Sequence, residues 1–171
     1  MSKNQEVICI SNDESKMEID SLQLLLSQML CGAQLEALHI HSLTLEIEFN
    51  QIGKPNLPLI IYLNTNNPIF KINDLDQNYE KDFFEQRKII ISELYSLIGN
   101  EINSVQVSKK GELTINISEK TFLLCRSPEE FEKIWIIKNQ KDYDLNSEPI
   151  WYISWSDYDE IYVNVPEPGK N

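Results

Sequence analysis

Histidine is nearly missing from this chain: His39 and His41 are the only two in 171 residues. A serine or cysteine nucleophile needs a nearby base, usually imidazole, so this scarcity works against most acyl-transfer chemistry. No GxSxG occurs either. Glycine numbers five, and neither GxxxxGK[ST] nor GxGxxG is present, which leaves no loop to cradle a phosphate. The three cysteines, Cys9, Cys31 and Cys125, are odd in number and widely spaced, with no CxxC and no Cys/His pair at ligand spacing. They read as small buried residues of a reducing compartment. No apolar run approaches the roughly 18–20 residues of a membrane helix. The longest, around Leu22–Cys31, is broken by Gln23, Ser27 and Gln28. The first twenty residues lack a basic region followed by an apolar stretch, so cytoplasm is the expected location.

Positive charge is also scarce. Lysine and arginine total 15 against 27 carboxylates, a formal net charge of −12. A field of that sign repels nucleic-acid phosphates. The deficit is uneven. Between Lys141 and Lys170 there is no cation, while Asp142, Asp144, Glu148, Asp157, Asp159, Glu160 and Glu167 are all acidic. The first fifty residues hold Lys3 and Lys16 against eight carboxylates. The expected partner is a basic protein, with no nucleic acid and no membrane.

What the chain does contain is a pattern that recurs. Leu30, Gly32, Leu35, Leu38 and Ile40 match Leu97, Gly99, Ile102, Val105 and Val107 at one offset of 67. Past Lys109-Lys110-Gly111, read as an insertion, the offset becomes 70, with Leu43-Thr44-Leu45 and Ile47 on Leu113-Thr114-Ile115 and Ile117. Asp20 or Ser21 can cap a helix through Leu22, Leu25, Leu26, Met29 and Leu30, which Gly32 ends. A longer second helix is expected from Asp82 to Leu97, with a stripe through Phe83, Phe84, Lys88, Ile91, Leu94, Tyr95 and Ile98. Each helix leads into alternating strands, Leu35–His41, Leu43–Phe49 and Leu59–Leu63 in the first half, Ile102–Val107, Leu113–Ser118 and Thr121–Cys125 in the second. The segment 69–81 stays unassigned. Ser127-Pro128-Glu129-Glu130 has the form of a capping box, and strands are expected at 134–137, 150–155 and 160–165. The expected fold is α+β: two tandem helix-plus-antiparallel-meander units, about 20–74 and 80–126, with a C-terminal extension over about 127–168, packed as one compact domain of two helices and eight or nine strands.

Two constellations could carry function. His39-x-His41 on a strand places both imidazoles on one face, about 6.5–7 Å apart. A metal centre needs a third protein ligand, and Glu36 and Glu46 read as solvent carboxylates on the outward face with Thr44 and Glu48. No metal, cofactor or catalytic residue is therefore assigned. The second constellation is the C-terminal hairpin. Alternation turns Trp151, Ile153 and Trp155 to the core and leaves Tyr152, Tyr158 and Tyr162 exposed beside Asp157, Asp159 and Glu160. Tyrosine dominates protein-binding hot spots because its ring buries area while its hydroxyl still bonds. Tyr152, Asp157, Tyr158, Asp159, Glu160 and Tyr162 are the candidate partner-binding residues.

The spacing Leu97-Ile98-Gly99, Ile102 through Val107, Leu113-Thr114-Ile115-x-Ile117, Phe131-Glu132-x-x-Trp135 and Trp151-x-Ile153-x-Trp155 resembles small bacterial proteins of unknown function. Some of these resemble immunity proteins of polymorphic toxin systems. The resemblance spans about residues 95–165 and implies a protein that binds and blocks a cognate toxin domain without an active site of its own. The leading expectation is thus an immunity or inhibitor protein that occludes a basic toxin domain. The alternative is a structural or adaptor subunit of a bacterial assembly, homodimeric through its sheet edges or its aromatic hairpin.

Overall fold

The computed structural model describes residues 6–9, 15–42, 44–65, 70–72, 83–124, 133–139, 151–156 and 160–166. Along the chain run β1 (Glu6–Cys9), α1 (Ser15–Leu30), β2 (Gln34–Ile40), β3 (Leu45–Asn50), β4 (Ile60–Thr65), β5 (Phe70–Ile72), α2 (Phe83–Tyr95), β6 (Ile102–Val107), β7 (Leu113–Ile117), β8 (Lys120–Leu124), β9 (Lys133–Lys138), β10 (Tyr152–Ser156) and β11 (Glu160–Asn164). The class is α+β, with every described strand pair antiparallel. Eleven strands are described rather than eight or nine, and β5 falls in the stretch that the sequence leaves unassigned. The capping box at Ser127 lies outside the described residues, as does Cys125.

Two sheets form, in the orders β1-β11-β10-β9-β4-β3-β2 and β5-β8-β7-β6. Each helix–hairpin–strand run ends by crossing over. After β4 the chain leaves the first sheet and β5 pairs with β8. After β8 it returns and β9 pairs with β4. Each half holds the antiparallel meander expected of it, β2-β3-β4 and β6-β7-β8, but neither sheet is confined to one half, since β5 joins the second sheet and β9 the first. Periodicity within a strand reports which face is apolar and carries no information about which strand lies beside it.

The sheets meet at the two helix ends. Gly32 N–H donates to Ile102 C=O at 2.8 Å and Gly99 N–H to Leu35 C=O at 2.8 Å. Leu35 N–H donates to Asn100 C=O and Ile102 N–H to Ala33 C=O, both at 2.9 Å. Moving each residue by the 67 positions that separate Gly32 from Gly99 converts each of these bonds into another of the four. Both glycines have positive φ, 80° and 90°, as the position after a helix end favours. Both hairpins slip register at the same place, between Leu35 and Ala37 and between Ile102 and Ser104. Their second strands correspond at an offset of 68, not 70: Leu38 opposes Ile47 as Val105 opposes Ile115, and Ile40 opposes Leu45 as Val107 opposes Leu113. The turn Ser108–Glu112 is one residue longer than His41–Thr44, so the insertion is one residue rather than three.

Helix α1 starts at Ser15, earlier than a cap at Asp20 would place it, and its 16 residues exceed the 13 of α2. Ile19, Leu22, Leu26, Met29 and Leu30 form its buried face, which lies against β6. Its C-terminal carbonyls are well served, as the negative end of the helix dipole favours. Gln51 Nε2 donates to Met29 C=O at 2.6 Å, and Lys54 Nζ donates to Gln28 and Cys31 C=O at 2.9 and 2.7 Å.

In α2 the expected stripe holds at Leu94, but most of its other members turn outward. Arg87, Ile90 and Leu94 are buried together with Leu97 in the turn beyond, while Phe84, Lys88, Tyr95 and Ile98 are exposed. The helix carries two apolar stripes, and the stripe containing an arginine turns inward because the guanidinium finds acceptors there. Arg87 Nη2 donates to the carbonyls of His41 and, at 2.6 Å, Thr44. It thereby holds the β2–β3 turn. Burial lowers the Arg87 pKa from its ordinary value.

The core between the layers combines α1 with the inward faces of both sheets: Phe49, Ile61, Leu63, Trp135, Ile137, Ile153 and Trp155 from the first, Val105, Leu113, Ile115, Ile117 and Phe122 from the second. Trp135 and Trp155 stand 6.4 Å apart with ring planes at 46°. Trp135 Nε1–H donates to Gly111 C=O at 2.7 Å, tying the β6–β7 turn to the first sheet.

Candidate functional site

Strand alternation gives the seven-stranded sheet a second face, opposite the tryptophans. Register aligns two rows across it. One runs His39, Glu46, Asn64, Ile136, Ser154, Tyr162, and the other Glu48, Tyr62, Lys138, Tyr152, Asn164. This face is polar, and its middle is closed to solvent. Glu46, Tyr62, Asn64, Lys138 and Ser154 are all buried. The expectation that Glu46 and Glu48 are solvent carboxylates is therefore corrected: Glu46 is 3% exposed, and the Glu48 side chain is 14% exposed. Alternation sorts residues onto faces, but what covers the second face is decided by tertiary packing.

One hydrogen-bonded pair and one ion pair organise the rows. His39 Nε2 lies 2.7 Å from Glu48 Oε2. Lys138 Nζ lies 3.9 Å from Glu46 Oε2, with both side chains almost wholly buried. At an effective dielectric constant near 20, charges this far apart attract by about 4 kcal/mol, a gain that the cost of desolvating both ions largely cancels. The pair therefore specifies how β3 and β9 sit across β4 more than it stabilises them. The His39 and Tyr62 rings lie 6.3 Å apart.

At the other end of the face, Tyr152 and Tyr162 pack edge to face, with centroids 5.7 Å apart and planes at 83°. An aromatic pair in this geometry contributes about 0.5–1.5 kcal/mol beyond its buried area. Both rings are half-buried, not fully exposed as alternation suggests. Glu160, exposed at the start of β11, shares the face of Tyr162 by alternation. Asp157, Tyr158 and Asp159 lie outside the described residues. Ile153 and Trp155 are buried, and Trp151 packs partly against the same core.

Of the candidates read from sequence, Tyr152 and Tyr162 are brought together and Glu160 stands near them on the same hairpin. His39 and His41 part company. His39 bonds Glu48 on the polar face, whereas His41, just past the end of β2, is exposed. Among the described residues no group of three or more His, Cys, Asp or Glu side chains could hold a metal ion. Sequence reasoning missed Lys138, Tyr62 and Asn64. For Tyr62 and Asn64 the signal was the polar phase of β4 between Ile61, Leu63 and Thr65, hidden because the strand is apolar on average.

No protein-family model, curated protein or solved structure matches this chain. No helix among the described residues is long and apolar enough to cross a membrane.

Proposed function

We propose that this chain is an acidic binding protein of the immunity or inhibitor class, cytoplasmic and without catalysis of its own, that occludes a basic toxin domain. The observation that carries the reading is the Tyr152–Tyr162 pair, seated beside exposed Glu160 on a hairpin with no lysine or arginine. Tyrosines supply the contact area and the carboxylates select for a cationic surface, while a net charge of −12 speeds encounter with it. The second reading, an adaptor subunit that dimerises through sheet edges, is favoured by the open side of β2 described below.

We further read the two helix–hairpin units, about 20–74 and 80–126, as copies of one ancestral unit, with about 127–168 as an added extension whose strand β9 enters the first sheet as β5 of the first unit enters the second. The four bonds that interconvert at an offset of 67, and the matching register slips, support this.

The test is purification of the tagged protein from its native host at low salt. A basic protein recovered at equal stoichiometry, and displaced as salt rises, is the expected result. Recovery of the chain alone, or only as a self-dimer, overturns the occlusion reading.

A further inference from the structure

The two hairpins treat their outer edges differently. In an antiparallel pair, hydrogen-bonded and non-bonded residue pairs alternate. In the second hairpin Ser108 N–H bonds Glu112 C=O, so Val105 and Val107 turn their backbone groups outward from β7. There they find a partner in α1. Gln23 Nε2 donates to Val105 C=O at 2.7 Å, and Gln23 Oε1 accepts from Val107 N–H at 2.8 Å. One side-chain amide thus takes the place of a neighbouring strand's peptide group.

In the first hairpin His41 N–H bonds Thr44 C=O, so Leu38 and Ile40 turn their N–H and C=O groups outward in the same way. The buried face of α1, Ile19, Leu22, Leu26 and Met29, coincides with that of α2, Arg87, Ile90, Leu94 and Leu97, at a shift of 68. That shift aligns Ile91 with Gln23 in sequence. Isoleucine has nothing to donate or accept. Among the described residues no group bonds the outward side of Leu38 or Ile40, and Ile40 is exposed. An unpaired strand edge is a template for another strand.

Charge indicates what fits there. Between Lys16 and Lys54 there is no lysine or arginine, and Glu36, exposed at the register slip of β2, adjoins the edge. Exposed Glu101 faces Gln34 across the junction of the sheets. A second copy would bring another −12 and a hairpin equally devoid of cations. We propose that the edge of β2 from Ala37 to Ile40 takes up an extended lysine- or arginine-bearing segment of the partner as an added strand, held by the backbone groups of Leu38 and Ile40. This deepens the occlusion reading and rests on it for the identity of the partner.

The test measures amide exchange of Leu38 and Ile40 in the full chain, with an octapeptide of alternating lysine and valine as probe and its glutamate–valine counterpart as control. Exchange at both residues should slow roughly tenfold with the basic peptide and stay unchanged with the acidic one. Ile40→Pro removes an outward N–H that β3 does not use, and Ile91→Gln supplies the missing amide from α2. Each should abolish the protection of Leu38 by peptide while leaving thermal unfolding near that of the parent protein. Unchanged exchange at saturating basic peptide overturns the proposal, as does peptide binding that survives both variants. So does a peptide-free dimer in which Leu38 and Ile40 are already protected. A basic host protein retained equally by the parent and Ile91→Gln overturns the added strand but leaves occlusion standing. Peptide protection with no basic host partner does the reverse.

Discussion

Gly111 lies flat against the indole of Trp155: a Cβ added to this glycine would sit 2.4 Å from Nε1 and 2.5 Å from Cδ1. The same residue receives the indole N–H of Trp135 on its carbonyl. A turn between two strands of one sheet thus fits against the tryptophan pair of the other, and any side chain there would push the sheets apart. Gly111 also has φ of 77°.

Gly111→Ala should therefore be among the most damaging single substitutions in the chain. Overpacking costs about 1–3 kcal/mol, and the left-handed backbone adds roughly 1–2 kcal/mol for a residue with a Cβ. Urea unfolding followed by tryptophan fluorescence should show a midpoint loss equivalent to about 2–5 kcal/mol. An alanine variant within about 0.5 kcal/mol of the parent would mean that the turn does not pack on Trp155.

The Lys138–Glu46 pair makes a prediction about signs. Lys138→Met leaves a carboxylate buried without its cation and should cost about 3–5 kcal/mol. Adding Glu46→Leu to Lys138→Met should recover most of that loss, since a buried pair is worth little more than apolar replacements of similar size. A double-mutant cycle in urea measures the coupling. If the double variant is as unstable as the sum of the singles, the two charges do not interact across β4.

Arg87 clasps the β2–β3 turn from α2, and geometry rather than charge is what the turn needs. Arg87→Met deprives the carbonyls of His41 and Thr44 of their donor and should destabilise by about 2–3 kcal/mol. Arg87→Lys should rescue little, because one ammonium cannot span the acceptors that the planar guanidinium reaches. Amide exchange at His41, whose N–H closes the turn to Thr44, should rise in both variants before global unfolding does. Full rescue by lysine would reduce the contribution to simple charge.

Much of this arrangement is legible in the sequence, and the boundary follows physics. Leu45 through Phe49 and Leu113 through Ile117 alternate cleanly, and Leu38 with Ile40 and Val105 with Val107 do so past the slip at the start of each first strand, so both hairpins and the glycines ahead of them could be read. The same alternation put Tyr152 and Tyr162 on one side and Ile153 with Trp155 on the other. It could not say that the side holding Glu46 and Lys138 is covered as well, since a carboxylate or ammonium inside depends on a partner distant in sequence. Choosing between the stripes of α2 failed for a related reason: Arg87 is buried against acceptors 43 to 46 residues away. The exchange of β5 and β9 between sheets is a fact of strand neighbourhood, to which no periodicity responds.

The tyrosine pair offers the sharpest test of the binding surface. Truncating Tyr152 or Tyr162 to alanine removes a ring that packs on its neighbour, and a hot-spot tyrosine typically costs about 2 kcal/mol or more, roughly thirtyfold in affinity. The phenylalanine variants keep the edge-to-face packing and lose only the hydroxyls, so they separate stability from recognition. If the pair is the contact, the phenylalanine variants should unfold like the parent yet bind the basic partner more weakly, and the alanine variants more weakly still. Glu160→Lys should act on the association rate and lose its effect as salt shortens the screening length from about 8 Å at physiological strength toward about 3 Å. Surface plasmon resonance at two salt concentrations reads both effects. Alanine variants that bind as tightly as the parent, on protein whose circular dichroism is unchanged, would move the interface off β10 and β11 and toward the edge of β2.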